Sequence, residues 1–222
     1  MSKAISIRKP VSVNAPDIKA TRRIYVVGFN RCGTRSLATA FERAGIGCVH
    51  WDRNQLMLAT LSDLRRHGRI NLPAHYPRSN AFLDFIHVPE HGETGDHVLS
   101  EGTLLHRQLI DSDPDAYFIL NTRPVEAWLQ SRCRHLNGSF LETYRHHLSR
   151  LHGYELKVDD VLLEWRRMWH QAHAEILQCF QQQSQLRSLV YDITHTPYNI
   201  LKQFLAPDYN LVGEQLPRSG QG

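Results

Sequence analysis

The apolar run Ile24-Tyr25-Val26-Val27 gives way at Gly28 to a loop reading Gly-Phe-Asn-Arg-Cys-Gly-Thr-Arg-Ser, which ends at Ser36. The next segment, Leu37 to Ala44, places its apolar positions 37, 40, 41 and 44 on one helical face. A buried strand, a loop with glycines five residues apart and a helix, in that order, make an anion cradle. The glycines let backbone N–H groups turn toward an anion, and the helix N-terminus adds its partial positive charge. Arg31 and Arg35 bring full charges, and Thr34 and Ser36 bring hydroxyl donors. The candidate ligand-holding residues are therefore Asn30, Arg31, Cys32, Gly33, Thr34, Arg35 and Ser36, and the ligand carries a phosphate.

Periodicity along the rest of the chain alternates strands with helices. Arg23–Val27 is the first strand, and Gly45 closes the helix after the loop. Cys48 to Trp51 is a second strand ending in Asp52, followed by a helix from Gln55 to His67 with Asn54 as N-cap and Gly68 beyond its end. Asn80–Ile86 is a third strand stopping at Pro89, Glu90–Asp96 a polar loop, and Glu101–Asp111 a helix before the turn Asp113-Pro114-Asp115. Ala116 to Asn121 is a nearly continuous apolar strand of the kind buried on both faces. Val125–His135 is helical with Pro124 at its start, and residues 138–160 are polar, rich in Arg and His, and assigned to no element. Val161–Gln181 is a long amphipathic helix whose stripe of Trp165, Met168, Trp169, Ala172, Ile176 and Phe180 reads as core. Leu189 to Tyr191 and Pro197–Leu205 are the last strand and helix. This alternation predicts an α/β domain over residues 23–210, with a flexible arm over 1–22 and a tail over 211–222. The central parallel sheet is covered on both faces, and ligands sit at the carboxyl ends of its strands.

Composition narrows the classes. A chain of 222 residues with net charge +4 is mildly basic, which suits a polyanionic small molecule and is too weak to argue for nucleic acid. Cys32, Cys48, Cys133 and Cys179 form no Cys-x-x-Cys pair and read as free thiols of a reducing compartment. Cys32, in the loop, is a small filler. The fourteen histidines show no recurrent metal-ligand spacing and read as mostly surface residues. The N-terminal stretch has no apolar core of a signal peptide and no run approaches a membrane span, so a cytoplasmic protein without membrane partner is expected.

A second anion grip follows the buried strand 116–121. Arg123 lies just beyond the strand end, and Ser131 follows it by eight residues on the helix that Pro124 opens. With both grips in order, the chain resembles the sulfotransferases that use 3′-phosphoadenosine 5′-phosphosulfate (PAPS). The family's loop, Lys-Ser/Thr-Gly-Thr-Thr/Ser, is matched by Arg31-Cys32-Gly33-Thr34-Arg35-Ser36, and its 3′-phosphate pair by Arg123 and Ser131. Pro114 to Leu120 with Trp128, then Trp165, Trp169 and His173, and Leu189 to Asp192, look like a branch of small bacterial-type members. The resemblance spans roughly residues 23 to 206 and implies a P-loop-like three-layer fold. Two features depart from the family pattern. The loop lysine is Arg31, and the C-terminal Arg-Lys-Gly segment of cytosolic members has only a faint echo in Pro217-Arg218-Ser219-Gly220.

The resemblance implies transfer of a sulfuryl group from PAPS to a hydroxyl or amine, with 3′,5′-bisphosphoadenosine as product and no metal. Arg31 would stabilise the leaving 5′-phosphate, the loop amides with Thr34 and Ser36 would cradle it, and Arg123 with Ser131 would hold the 3′-phosphate. An acceptor hydroxyl needs a base within hydrogen-bond reach. His87, in a His-x-Pro that resembles the family's catalytic histidine, is the first candidate; Asp84, a carboxylate inside an apolar strand, is the second; His50 is the third. Two rival functions stay open on sequence alone. One is a magnesium-dependent P-loop kinase, with Asp84 or Asp192 on the metal. The other is a nucleotide-binding module that has lost its chemistry. The basic stretch with Arg145, His146, His147 and Arg150 suggests a lid or acceptor wall for an anionic or saccharide acceptor. Oligomeric state is not encoded in any pattern found here.

Overall fold

The computed structural model describes residues 22–89 and 99–219. In chain order the elements are β1 (Ile24–Val26), α1 (Thr34–Arg43), β2 (Cys48–His50), α2 (Gln55–His67), α3 (Leu72–His75), β3 (Ala81–Leu83), β4 (Ile86–His87) and β5 (Ser100–Glu101). They continue with α4 (His106–Ser112), β6 (Tyr117–Thr122), α5 (Val125–Cys133), α6 (Ser139–His152), α7 (Val158–Gln182), β7 (Arg187–Asp192) and α8 (Tyr198–Leu205). Five strands form one parallel sheet in the order β2-β3-β1-β6-β7, and β4 and β5 form a separate antiparallel pair. The expected α/β architecture is what the chain adopts.

Period-two alternation divides the core. Ile24, Val26, Tyr117 and Ile119 face one side, where they pack with Leu37 and Phe41 of α1 and Leu201 and Leu205 of α8. Tyr25, Phe118 and Leu120 face the other, with Leu56 and Met57 of α2 and Ile176 and Cys179 of α7. Tyr25 stacks between Phe82 and Phe118, with ring centroids 5.5 and 5.4 Å away. A third cluster joins α5, α6 and α7 around Trp128, Phe140 and Trp165, beside the loop residues Phe29 and Cys32. The stripe Trp165, Met168, Ala172 and Ile176 is core, as its spacing indicated.

Several expectations change. The strand expected over 80–86 is broken at Asp84, whose φ of 64° turns the chain out of the central sheet. Ile86 and His87 then pair antiparallel with Glu101 and Ser100, so His87 lies buried on β4 and does not close a central strand. The helix expected from Glu101 begins as a 3-10 turn over Gly102–Leu105 and becomes α-helical at His106; Glu101 itself pairs on β5 and is engaged by a buried arginine, and Gly102 packs under Phe85, where a Cβ would sit 2.1 Å from the Phe85 Cβ. Asn54 does not cap α2 through its side chain; its Oδ1 accepts from Trp51 Nε1, and residues 51–54 all take positive φ. Residues 139–152, within the stretch assigned to no element, form α6, with Phe140, Tyr144 and Leu148 buried at four-residue spacing. His87, His106 and His173 are buried, against the surface expectation. The expected loop over 90–96 and the arm over 1–22, apart from Arg22, lie outside the described residues.

Candidate functional site

The central strand β1 delivers the chain into the glycine loop, with the carboxyl ends of β3 and β6 on either side. Each loop glycine has its own reason. A Cβ at Gly28 would fall 2.0 Å from the Asn121 carbonyl oxygen, and Gly33 holds φ +76° as the N-cap of α1, against Ile193. Arg31 also takes positive φ, 65°. Among the described residues, no protein acceptor takes the N–H groups of Thr34, Arg35 and Ser36, so the first turn of α1 offers its donors outward.

β6 and α5 strap this loop. Asn121, fully buried, accepts from Gly28 N at 2.8 Å through Oδ1 and donates from Nδ2 to the Cys32 carbonyl at 2.8 Å. Trp128 Nε1 donates to the Asn30 carbonyl at 3.0 Å, and an Arg123 NH1 donates to the Arg31 carbonyl at 3.2 Å. Arg31 Nε reaches Ser131 Oγ at 3.3 Å. The two grips identified separately in the sequence are thus one continuous surface. Asn121→Ala should strand both a buried N–H and a buried carbonyl, at about 1–3 kcal/mol each. A lowered Tm together with weakened anion binding is the expected result.

Arg31, Arg35, Arg123 and Arg134 make no ion pair among the described residues, whereas Arg22, Arg23, Arg132, Arg145, Arg166 and Arg167 each have a carboxylate. Burial, then Arg35 and Arg123, pull the Arg31 pKa down, with Asp84 opposing. The Nε of Arg123 is buried with no partner. Uncompensated guanidinium groups held this close stabilise an incoming anion and are stabilised by it. Cys32 is fully buried, and burial pushes its thiol up to about 12, which makes it filler and not a nucleophile. Its three fellow cysteines are also free thiols.

Of the candidate bases, Asp84 and His50 come together at the loop. His50 Nε2 lies 3.0 Å from Thr34 Oγ1 and 3.4 Å from an Asp84 carboxylate oxygen. Burial raises the Asp84 pKa, against the opposing fields of His50, Arg132, Arg31 and Arg35, and its Oδ1 is buried without a hydrogen-bond partner. Ser36 Oγ accepts from the Ser219 N–H at 3.2 Å, and Thr39 and Ser219 hydroxyls meet at 2.9 Å, so the C-terminal stretch reaches α1 beside the loop.

Sequence reasoning missed Asn121 as a strap and His173 as a support. His173 Nδ1 donates to the Trp169 carbonyl at 2.8 Å, so Nε2 accepts from the Thr122 hydroxyl, also at 2.8 Å. Its ring stacks on Trp169 at 3.7 Å between centroids, and burial pushes its pKa down to about 4. The neutral imidazole fixes Thr122, next to Arg123. The signal was present in the Trp169 to His173 spacing, but its partner at Thr122 lies 51 residues away. The wall expected over 138–160 is less basic than its composition, because Arg145 is tied to Glu142 and Glu155.

Compared with known families, residues 23–212 match the family described as "Sulfotransferase domain". No relative was found among curated proteins. No helix of the described residues is long and apolar enough to cross a membrane.

Proposed function

The chain belongs to the sulfotransferase family, and we propose that it moves a sulfuryl group from PAPS to a hydroxyl or amine of a small-molecule or saccharide acceptor. The observation that carries the choice of donor is the group of arginines without carboxylate partners around the strapped loop, with the unpartnered Arg123 Nε between them. These residues fit a nucleotide bearing phosphates at both ends of its ribose. In this reading the N–H groups at the start of α1, with Arg31 and Arg35, hold the 5′-phosphate, and Arg123 with Ser131, which Arg31 Nε reaches, holds the 3′-phosphate. The donor supplies the sulfuryl group, whose bond to the 5′-phosphate oxygen breaks as the acceptor oxygen attacks.

The protein's part is positioning and charge stabilisation. Arg31 faces the negative charge that grows on the departing phosphate oxygen. Its planar fork takes over the role that a lysine has in relatives, and its bond to Ser131 couples the two grips. Asp84 is the base in this reading. Its raised pKa brings the carboxylate nearer to the range in which it takes a proton from an attacking hydroxyl, and His50 orients it from 3.4 Å. His87, buried on β4, has no role in this scheme.

Thermal unfolding with added nucleotide tests the reading. Adenosine 3′,5′-bisphosphate at a hundredfold excess over its Kd should stabilise the protein by about 2.7 kcal/mol, with or without magnesium. Stabilisation by ATP only when magnesium is present would instead support a kinase. Binding without sulfate transfer to phenol, sugar and amine acceptors would support a module without chemistry.

A further inference from the structure

The ligand edge holds one more cation than the two grips require. Arg134 caps α5 three residues after Ser131, so the two side chains share a helical face. Beyond it the chain turns through three left-handed residues, Leu136, Asn137 and Gly138, with φ of 52, 56 and 88°, before α6 begins. This return encloses one side of a cavity of about 580 Å³, lined by Arg31, Ser131, Cys133, Arg134, Asn137 and Gly138. That volume is within the range of small-molecule and nucleotide sites.

Charge in this cavity has one sign. No carboxylate lines it, and the Arg134 guanidinium makes no ion pair or hydrogen bond among the described residues. Its neighbour across the outer groove, Arg166, is by contrast paired with Glu126 at 2.8 Å. His135, which follows Arg134 in the chain, has its pKa pushed down to about 4, first by burial and then by Arg31, Arg35 and Arg132. The part of that shift contributed by the arginines has the sign that attracts an anion.

We infer that Arg134 is a specificity-determining residue: with Ser131 and Arg123 it seats the second phosphate of the nucleotide and makes the site prefer a bisphosphorylated adenosine to a 5′-monophosphate. The inference rests on the donor assignment above and extends it to a residue that the two grips did not include. Guanidinium–phosphate contact is charge-assisted and forked, so losing it weakens one phosphate and not the other.

Isothermal titration with adenosine 3′,5′-bisphosphate and with adenosine 5′-monophosphate tests it on the unaltered protein, Arg134→Gln and Arg166→Gln. The unaltered protein should prefer the bisphosphate. Arg134→Gln should weaken the bisphosphate by about tenfold or more and leave the monophosphate within about twofold. Arg166→Gln should change neither. Arg134 is exposed, so the fold is expected to survive, and matching unfolding curves verify this. Unchanged bisphosphate affinity in Arg134→Gln, or an equal loss for both nucleotides, overturns the inference and leaves the donor assignment standing. Failure of the unaltered protein to bind either nucleotide overturns both.

Discussion

Asp84→Asn is expected to cut sulfate transfer by about 100- to 10,000-fold and, at the same time, to raise Tm. The two effects have one cause. Burial raises the Asp84 pKa in the folded protein above its unfolded value of 3.8. A group shifted this way stabilises the fold below the unfolded pKa and loses that contribution as pH rises through the folded one. At neutral pH the buried carboxylate is therefore a net cost, which an amide of the same shape does not carry. Asparagine also tolerates the φ of 64° at this position, so backbone strain does not obscure the comparison. Unfolding curves measured from about pH 2 to 8 should converge at the acid end, below the unfolded pKa of 3.8, where the aspartate is protonated in both states. Retained activity with a lowered Tm would show that Asp84 is a structural carboxylate and that the base lies elsewhere.

The largest loss of stability is expected at Arg132 and Glu101. Arg132 is fully buried, bonds Glu101 through one NH2, and leaves Nε and the other terminal nitrogen without partners. Aromatic rings take the remaining faces, with centroids of Trp165, Trp128 and Tyr144 at 4.5, 5.0 and 5.0 Å from the guanidinium carbon. Glu101→Gln removes the counter-charge and leaves the guanidinium in an apolar box, at about 3–5 kcal/mol. Replacing both, with Arg132→Met and Glu101→Gln, should recover part of that loss, because no uncompensated charge remains. The pair also ties β5 to the helix that carries Ser131, so the single variant should weaken bisphosphate binding as well. Chemical denaturation of these two variants and of Arg132→Met alone measures the coupling. Additive losses would mean that the two side chains act independently.

Local chemistry accounts for what was legible in the chain. The cradle from Asn30 to Ser36 is a continuous strand, loop and helix start, and its identity depends on residues within one turn of each other. Arg123 and Ser131 were found because a strand end and a helix face have fixed periods. The break at Asp84 was not visible, since Leu83 and Phe85 around it are as apolar as any strand interior. What turns the chain there is a partner far away: the β5 segment, whose Gly102 packs under Phe85. The α6 stripe of Phe140, Tyr144 and Leu148 was present at helical spacing but interleaved with arginines and histidines, and only the cavity that α5 and α7 leave for it makes those rings core.

The sequence by itself determined the parallel α/β architecture, the glycine loop between strand and helix, and the arginine at the end of the buried strand, because strand period, glycine position and helix period are encoded within a few residues. Tertiary structure alone decided that Asn121 braces the loop, that Asp84 and His50 meet beside it while His87 does not close a central strand, and that Arg134 faces the cavity unpaired. Those outcomes depend on burial and on counter-charges contributed by segments distant in the chain, which no local pattern can carry.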